Sequence, residues 1–218
     1  MTRPYPPEPW HLRGDMHAAL WSVPGHALPH WPLPEGVRAV SLSGRRLLVT
    51  FWVDYRDGDL SYRELLVALV VRRAARPAAT AVQAWVDDER SLAGGRRLWA
   101  IPKQRAAFGF HPLAPTRHRP GGLRVTMTLD GRDRQEPDAS GVCQELLRLP
   151  LRLPLRAHLL QPRGDGTVCR VPLRLTGRPS ATRIRLRVRP DGPLAYLANR
   201  RPLAAVSWRD FRFTIGPS

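Results

Sequence analysis

Arg183-Ile184-Arg185-Leu186-Arg187-Val188-Arg189 places an apolar side chain at every second position. A period of two is the pitch of a β-strand, so one face packs inward while the arginines meet water or a partner subunit. The stretch 148–156 repeats the pattern. Working outward, strands are expected over 16–23, 37–41, 47–55, 64–73, 78–86, 123–129, 143–155, 167–175, 182–189 and 207–215. Residues 47–53 and 65–71 are almost wholly apolar, as in strands covered on both faces. Ser43-Gly44-Arg45, Asp130-Gly131, Gly164-Asp165-Gly166 and Asp191-Gly192 read as turns between them.

Helices are expected to be few and short. The chain has 23 prolines, about twice the ordinary share of ~5%, and proline breaks helix interiors. Asp87-Asp88-Glu89 supplies helix-start chemistry, because a carboxylate there accepts orphan amide protons. The spacing predicts a helix over 89–93 that ends at Gly94-Gly95. One or two helical turns are expected over 194–199, a loop over 24–34 and an extended proline-rich arm over 1–12. The fold class is mainly β with few short helices, antiparallel, in a single domain over 1–218.

Bulk composition removes several function classes. A chain of 218 residues that is 43% hydrophobic builds a sizeable core, burying roughly 70% of its unfolded surface. The net charge of +17 draws in small anions. Yet the arginines never run beyond pairs, and no nucleic-acid-binding motif is present, so nucleic acid is not an expected partner. The longest apolar run, 65–71, is far short of the ~20 residues of a membrane span. The N-terminus has no signal-peptide core, and Cys143 and Cys169 have no paired spacing. A cytoplasmic protein with free thiols and no membrane partner is expected. His26 and His30 lie four apart among prolines with no third ligand nearby, so no metal is expected. Hydrolase, zinc-protease and nucleotide fingerprints are absent, and no cofactor is expected.

The chemistry concentrates on one residue. Of the 35 lysine and arginine residues, Lys103 is the one lysine. Lysine, unlike guanidinium, loses its proton on burial and then attacks a carbonyl as a free amine. Trp99, Ile101 and Pro102 precede it and Ala106, Ala107 and Phe108 follow, an apolar setting that favours the neutral form.

The stretch Gly95-Arg96-Arg97-Leu98-Trp99-Ala100-Ile101-Pro102-Lys103 resembles the lysine motif of the acetoacetate decarboxylase family, written Gly-Arg-Glu, a few mostly apolar residues, then Pro-Lys. Weaker likeness runs through 55–64 and the proline-rich entry at 5–12. The resemblance implies a closed β-cone or barrel, a homo-oligomer, and a lysine that forms a Schiff base with a small keto acid. Lys103 takes the nucleophile's place. Asp57 is the simplest match to the family's active-site glutamate, one carbon shorter, and Glu64 is the second candidate. Trp99, Ile101 and Arg97 are assigned to the substrate's surroundings.

Three positions depart from the family pattern. Gln104 stands where a second lysine follows the first, Arg97 replaces the glutamate, and Arg13 lies near the family's N-terminal arginine but out of register. These changes point to altered chemistry, since one iminium serves decarboxylation, aldol addition or dehydration. Two readings follow: a carbon–carbon lyase acting through a lysine Schiff base, or a non-catalytic binder that keeps the fold and pocket. The reactivity of Lys103 separates them.

Overall fold

The computed structural model describes residues 4–115, 122–130 and 136–217. Twelve strands are described: β1 (Trp10–Pro24), β2 (Val37–Ala39), β3 (Ser41–Leu42), β4 (Arg45–Gly58), β5 (Tyr62–Arg73), β6 (Arg76–Val86), β7 (Lys103–Leu113), β8 (Gly122–Leu129), β9 (Ala139–Arg148), β10 (Leu153–Pro162), β11 (Val168–Val188) and β12 (Ala204–Ile215). One α-helix, α1 (Glu89–Trp99), lies between β6 and β7, and two short 3₁₀ turns cover Gly25–Ala27 and Ala195–Leu197. The strands form one continuous sheet. Pairing is antiparallel except at β6–β7 and β6–β10.

The sheet closes on itself. Passing from β6 through β5, β4, β1, β12, β11 and β10 returns to β6, where Leu159 pairs with Ala79. Side chains reinforce that thin seam. Thr80 Oγ1 donates to the Leu160 carbonyl at 2.8 Å, and the Gln161 amide both accepts from Ala81 N at 2.7 Å and donates to Ala81 O at 3.0 Å. Gln161 is fully buried, and these bonds satisfy an amide that would otherwise destabilise the interior. β7, β8 and β9 continue from β6 and join the C-terminal half of β11, so the same strands also wall a second interior.

Strand alternation divides the side chains between the two interiors. Leu48 and Trp52 of β4, with Leu65, Val67, Leu69 and Val71 of β5, pack on Val125, Met127 and Ile184. The opposite face presents Val53, Tyr55 and Tyr62 to Phe211, Leu175 and Ile101. Both faces of β4 and β5 are therefore covered, which accounts for their nearly unbroken apolar sequence.

Several segments differ from expectation. The stretch 143–155 is two strands, because Pro150 lacks an amide donor and the chain changes neighbour there, while Pro154 falls within β10. Strand β9 pairs with the second half of β11, and β10 pairs with the first. Conversely, the stretches expected over 167–175 and 182–189 merge into one 21-residue strand, β11 (Val168–Val188). Its register shifts between Thr176 and Arg178 against β12. Within 194–199, only Ala195–Leu197 form a 3₁₀ turn. The helix does not stop at Gly94-Gly95 but runs on to Trp99, ending where Ala100 adopts a left-handed conformation at φ 52°. Gly131 of the Asp130-Gly131 turn and the first three residues of the arm lie outside the described residues. Among the described residues, no helix is long and apolar enough to cross a membrane.

Candidate active site

Helix α1 begins at Asp88, whose carboxylate accepts the Ser91 backbone N–H at 2.7 Å. Ser91 is fully buried, and its hydroxyl oxygen lies 2.8 Å from Lys103 Nζ, which donates to it. One turn further along the same helix face comes Gly95. A Cβ built there would lie 2.7 Å from both Cδ and Cε of Lys103. The lysine side chain therefore runs along the helix in a groove that only glycine leaves open. Gly94 performs the same service for the arm, because a Cβ there would sit 2.5 Å from the Trp10 ring. The two glycines are points of close approach, not a helix stop.

The chain then turns back sharply. Ala100 N and Ile101 N donate to Arg96 O and Gly95 O, both at 3.1 Å, which satisfies the helix's last carbonyls. Pro102 follows, and β7 starts at Lys103 in parallel register with Ala84 of β6. Arg96 Nε donates to the Lys103 carbonyl at 2.7 Å, fixing the lysine backbone to the helix end.

Glu64 lies opposite. Its Oε1 is 2.9 Å from Lys103 Nζ, and the two side chains are only 5% and 2% exposed. Tyr62 OH is 3.5 Å from Nζ, and its ring centroid lies 4.9 Å from the same nitrogen, close enough for cation–π attraction. Tyr55 OH donates to Glu64 Oε2 at 3.4 Å, and its ring stands 4.6 Å from that of Tyr62. Burial drives the Tyr55 phenol well above the ordinary tyrosine pKa, with Tyr62 and Glu64 adding to the effect. Burial, followed by the Glu64 charge, does the same to Tyr62. Both phenols therefore stay protonated; Tyr55 donates to Glu64, and Tyr62 accepts from Lys103 Nζ.

These groups occupy one end of a cavity of about 410 Å³. Trp99 and Ile101 line it together with Lys103 and Glu64, as do Val53 and Phe211. Trp99 is held by its indole N–H, which donates to Glu8 Oε2 at 2.8 Å, and by an edge-on contact with Trp10 at 4.6 Å. The proline-rich arm thus braces the cavity wall.

Of the two candidate carboxylates, the structure brings Glu64 to the amine and leaves Asp57 at the surface. Asp57 is 72% exposed and faces Arg13 at 3.7 Å. It lies beyond the last β4–β5 pair, Tyr55 with Tyr62, where the strand leaves the barrel rim. Arg97 is exposed on the helix and does not line the cavity. Arg105 faces Glu89 and Asp130, both at 3.4 Å. Gln104 is exposed, as alternation along β7 requires of the residue after an inward-facing lysine. Ser91, Tyr55 and Tyr62 were not singled out from the sequence. The Ser91–Gly95 spacing of one helical turn, and the shared parity of Tyr62 and Glu64, are the signals that point to them. Among the described residues, no three His, Cys, Asp or Glu side chains cluster closely enough to hold a metal ion.

The fold agrees with comparisons to known proteins. Residues 1–140 match the family model described as acetoacetate decarboxylase, and the chain belongs to that family. No curated protein matches it in sequence. Among solved structures, the acetoacetate decarboxylase of Legionella pneumophila superposes with a TM-score of 0.68 at 14% identity, covering 99% of this chain and 88% of that one. An acetoacetate decarboxylase-like enzyme from Sphingomonas wittichii gives 0.61 at 16% identity, over 99% and 94%. The enduracididine biosynthesis enzyme MppR gives 0.62 at 16%, over 98% and 88%. The β-cone architecture is thus shared across the whole chain.

Proposed function

We propose that the protein is a carbon–carbon lyase that binds a keto acid as a Schiff base on Lys103. One observation carries this reading: the chain's sole lysine is buried at the inner end of an apolar cavity, 2.9 Å from a buried carboxylate. Family membership supports it, as does MppR, whose structures include complexes with pyruvate and with a condensation product of pyruvate and an aldehyde.

The geometry supports the following steps. Glu64 takes a proton from the Lys103 ammonium, and the free amine attacks the substrate carbonyl carbon. The carbinolamine loses water and leaves a protonated imine. Breaking the bond between the imine's α-carbon and the departing carboxylate or hydroxyalkyl carbon, with loss of carbon dioxide or of an aldehyde, moves its electron pair towards the imine nitrogen and gives an enamine. Glu64 gives its first proton to the departing water, regains one from solvent on decarboxylation or from the substrate hydroxyl on aldol cleavage, and passes it to the enamine carbon. Water then releases the carbonyl product and restores the amine. Ser91, Tyr62 and Tyr55 hold the amine and the carboxylate in register throughout, and the dry apolar wall strengthens each charge interaction. Glu64 serves as the acid–base partner, and Trp99 and Ile101 serve as walls.

Incubation with acetoacetate, pyruvate or acetopyruvate, borohydride reduction and intact-mass measurement test the proposal. One adduct that maps to Lys103 and vanishes in Lys103→Arg is expected. Folded protein that gives no adduct between about pH 5 and pH 9 would leave the non-catalytic binder as the reading.

We also propose a homo-oligomer. Leu146, Leu147 and Leu151 are 56%, 64% and 62% exposed along one stretch, an apolar surface suited to a second copy. Sedimentation at micromolar concentration showing only monomer would overturn this. The buried free thiols Cys143 and Cys169 favour a cytoplasmic location.

A further inference from the structure

We infer that the substrate carries a long apolar body, an alkyl chain or aromatic group, attached to the carbonyl that reaches Lys103. The inference rests on the Schiff-base reading and extends it to the class of substrate. The cavity is far larger than a short keto acid requires. Its 410 Å³ falls within the range of roughly 300–1,000 Å³ that suits drug-sized ligands.

The shape of the lining points the same way. Along β4 it runs from Tyr55 through Val53 and Phe51 to Val49, a rise of roughly 20 Å along the strand. The amine end is closed by buried Tyr55, Tyr62 and Glu64, whereas Val49 and Phe51 are partly exposed and Leu155 and Arg156 are exposed. The chamber is therefore a deep blind channel with its reactive group at the bottom. Between Glu64 and Lys103 at the base and Arg156 and His158 at the mouth, the lining is apolar.

A short keto acid at Lys103 leaves this upper wall wet, while an apolar tail removes it from water. Each methylene that is fully buried strengthens binding about fourfold. At the mouth, Arg156 and the His158–Arg170 contact at 3.0 Å flank the exit of such a tail.

The test is a chain-length series: pyruvate, 2-oxohexanoate, 2-oxodecanoate and phenylpyruvate, each trapped by borohydride on the wild-type protein, with decanoate binding measured in parallel by calorimetry. Condensation expels one water and borohydride supplies the hydride, so every adduct is weighed directly. The half-saturating concentration is expected to fall at least tenfold from pyruvate to 2-oxodecanoate, and decanoate, which has no ketone, is expected to bind. A Lys103 adduct with equal half-saturation across the series, and no decanoate binding, overturns the inference while leaving the Schiff-base reading intact. Decanoate binding without any adduct overturns the Schiff-base reading and keeps the apolar ligand class. Val49→Trp, which narrows the upper channel, is expected to bring 2-oxodecanoate to within about threefold of pyruvate. If that variant does not fold, the wild-type series decides alone.

Discussion

Strands β4 and β5 serve two interiors that differ in one respect. On one side, Leu48, Trp52, Leu65 and Val67 meet Val125, Met127 and Ile184 in a filled core. On the other, Val53, Tyr55, Tyr62 and Glu64 wall a chamber of about 410 Å³. The same backbone and the same alternation produce both, so the difference lies in what stands opposite. The filled side is closed by inward-facing side chains of β8, β9 and β11, whereas the hollow side is closed by a ring of strands joined at a thin seam. Packing that is forgone on the hollow side leaves room for a ligand, and the buried lysine–carboxylate pair lies only there.

The sharpest contrast is in stability. Trp52→Ala on the filled side should lower unfolding free energy by about 3–5 kcal/mol, because a large void opens among fixed neighbours. Phe51→Ala, its neighbour on the hollow side, should lose only about 1–2 kcal/mol, since its ring already borders space. Urea denaturation of the two variants measures both, and equal losses would erase the comparison.

A pH effect comes next. His17 is buried with Nδ1 2.6 Å from Ser207 Oγ, and burial, aided by Arg209, lowers its pKa from 6.5 to about 4. The folded state excludes a proton that the unfolded chain binds, so stability is full above pH 6.5 and declines as pH falls towards 4. The loss from this group is about 3 kcal/mol. His17→Gln should flatten that part of the stability–pH curve, and an unchanged slope would assign the effect elsewhere.

On the hollow side the effects should appear in reactivity. Glu64→Gln keeps the shape but removes the proton acceptor, and Schiff-base trapping should slow about a hundredfold. A rate near that of the wild type would remove Glu64 from the acid–base role. Gly95→Ala places a methyl against the lysine's aliphatic stem. It should slow trapping about tenfold while changing stability by no more than ~1 kcal/mol, because alanine's better helix propensity offsets the crowding. A stability loss with unaltered trapping would show that the groove does not position the amine.

How much of this was legible in the sequence depends on the range of the interaction. Alternation in 183–189 and the apolar runs at 47–53 and 65–71 gave the β class, because a strand's period is local. Lys103 was legible as a lone lysine in apolar company. The choice between Asp57 and Glu64 was not, since it depends on where β4 leaves its pairing with β5. Gly94-Gly95 reads as a helix stop until Trp10 and Lys103 are found pressed against it, and both lie far from the helix interior in sequence or direction. Strand β7 is masked by the helix before it, and β11 by Pro179, which interrupts an otherwise even pattern. Ser91 joins the site only through the helix turn that places it above Gly95.

On the proposed function, Lys103 reacts with a carbonyl in the hollow interior. Because the chain has a single lysine, uniform incorporation of isotope-labelled lysine yields one side-chain nitrogen signal in an NMR spectrum. Titration with a keto acid should convert that signal from an amine to an iminium nitrogen, with the conversion about a hundredfold slower when Glu64 is changed to Gln at the same pH. A signal that stays that of an ammonium ion, while the ligand demonstrably binds the chamber, would contradict the account and leave a binding protein with an unreactive lysine.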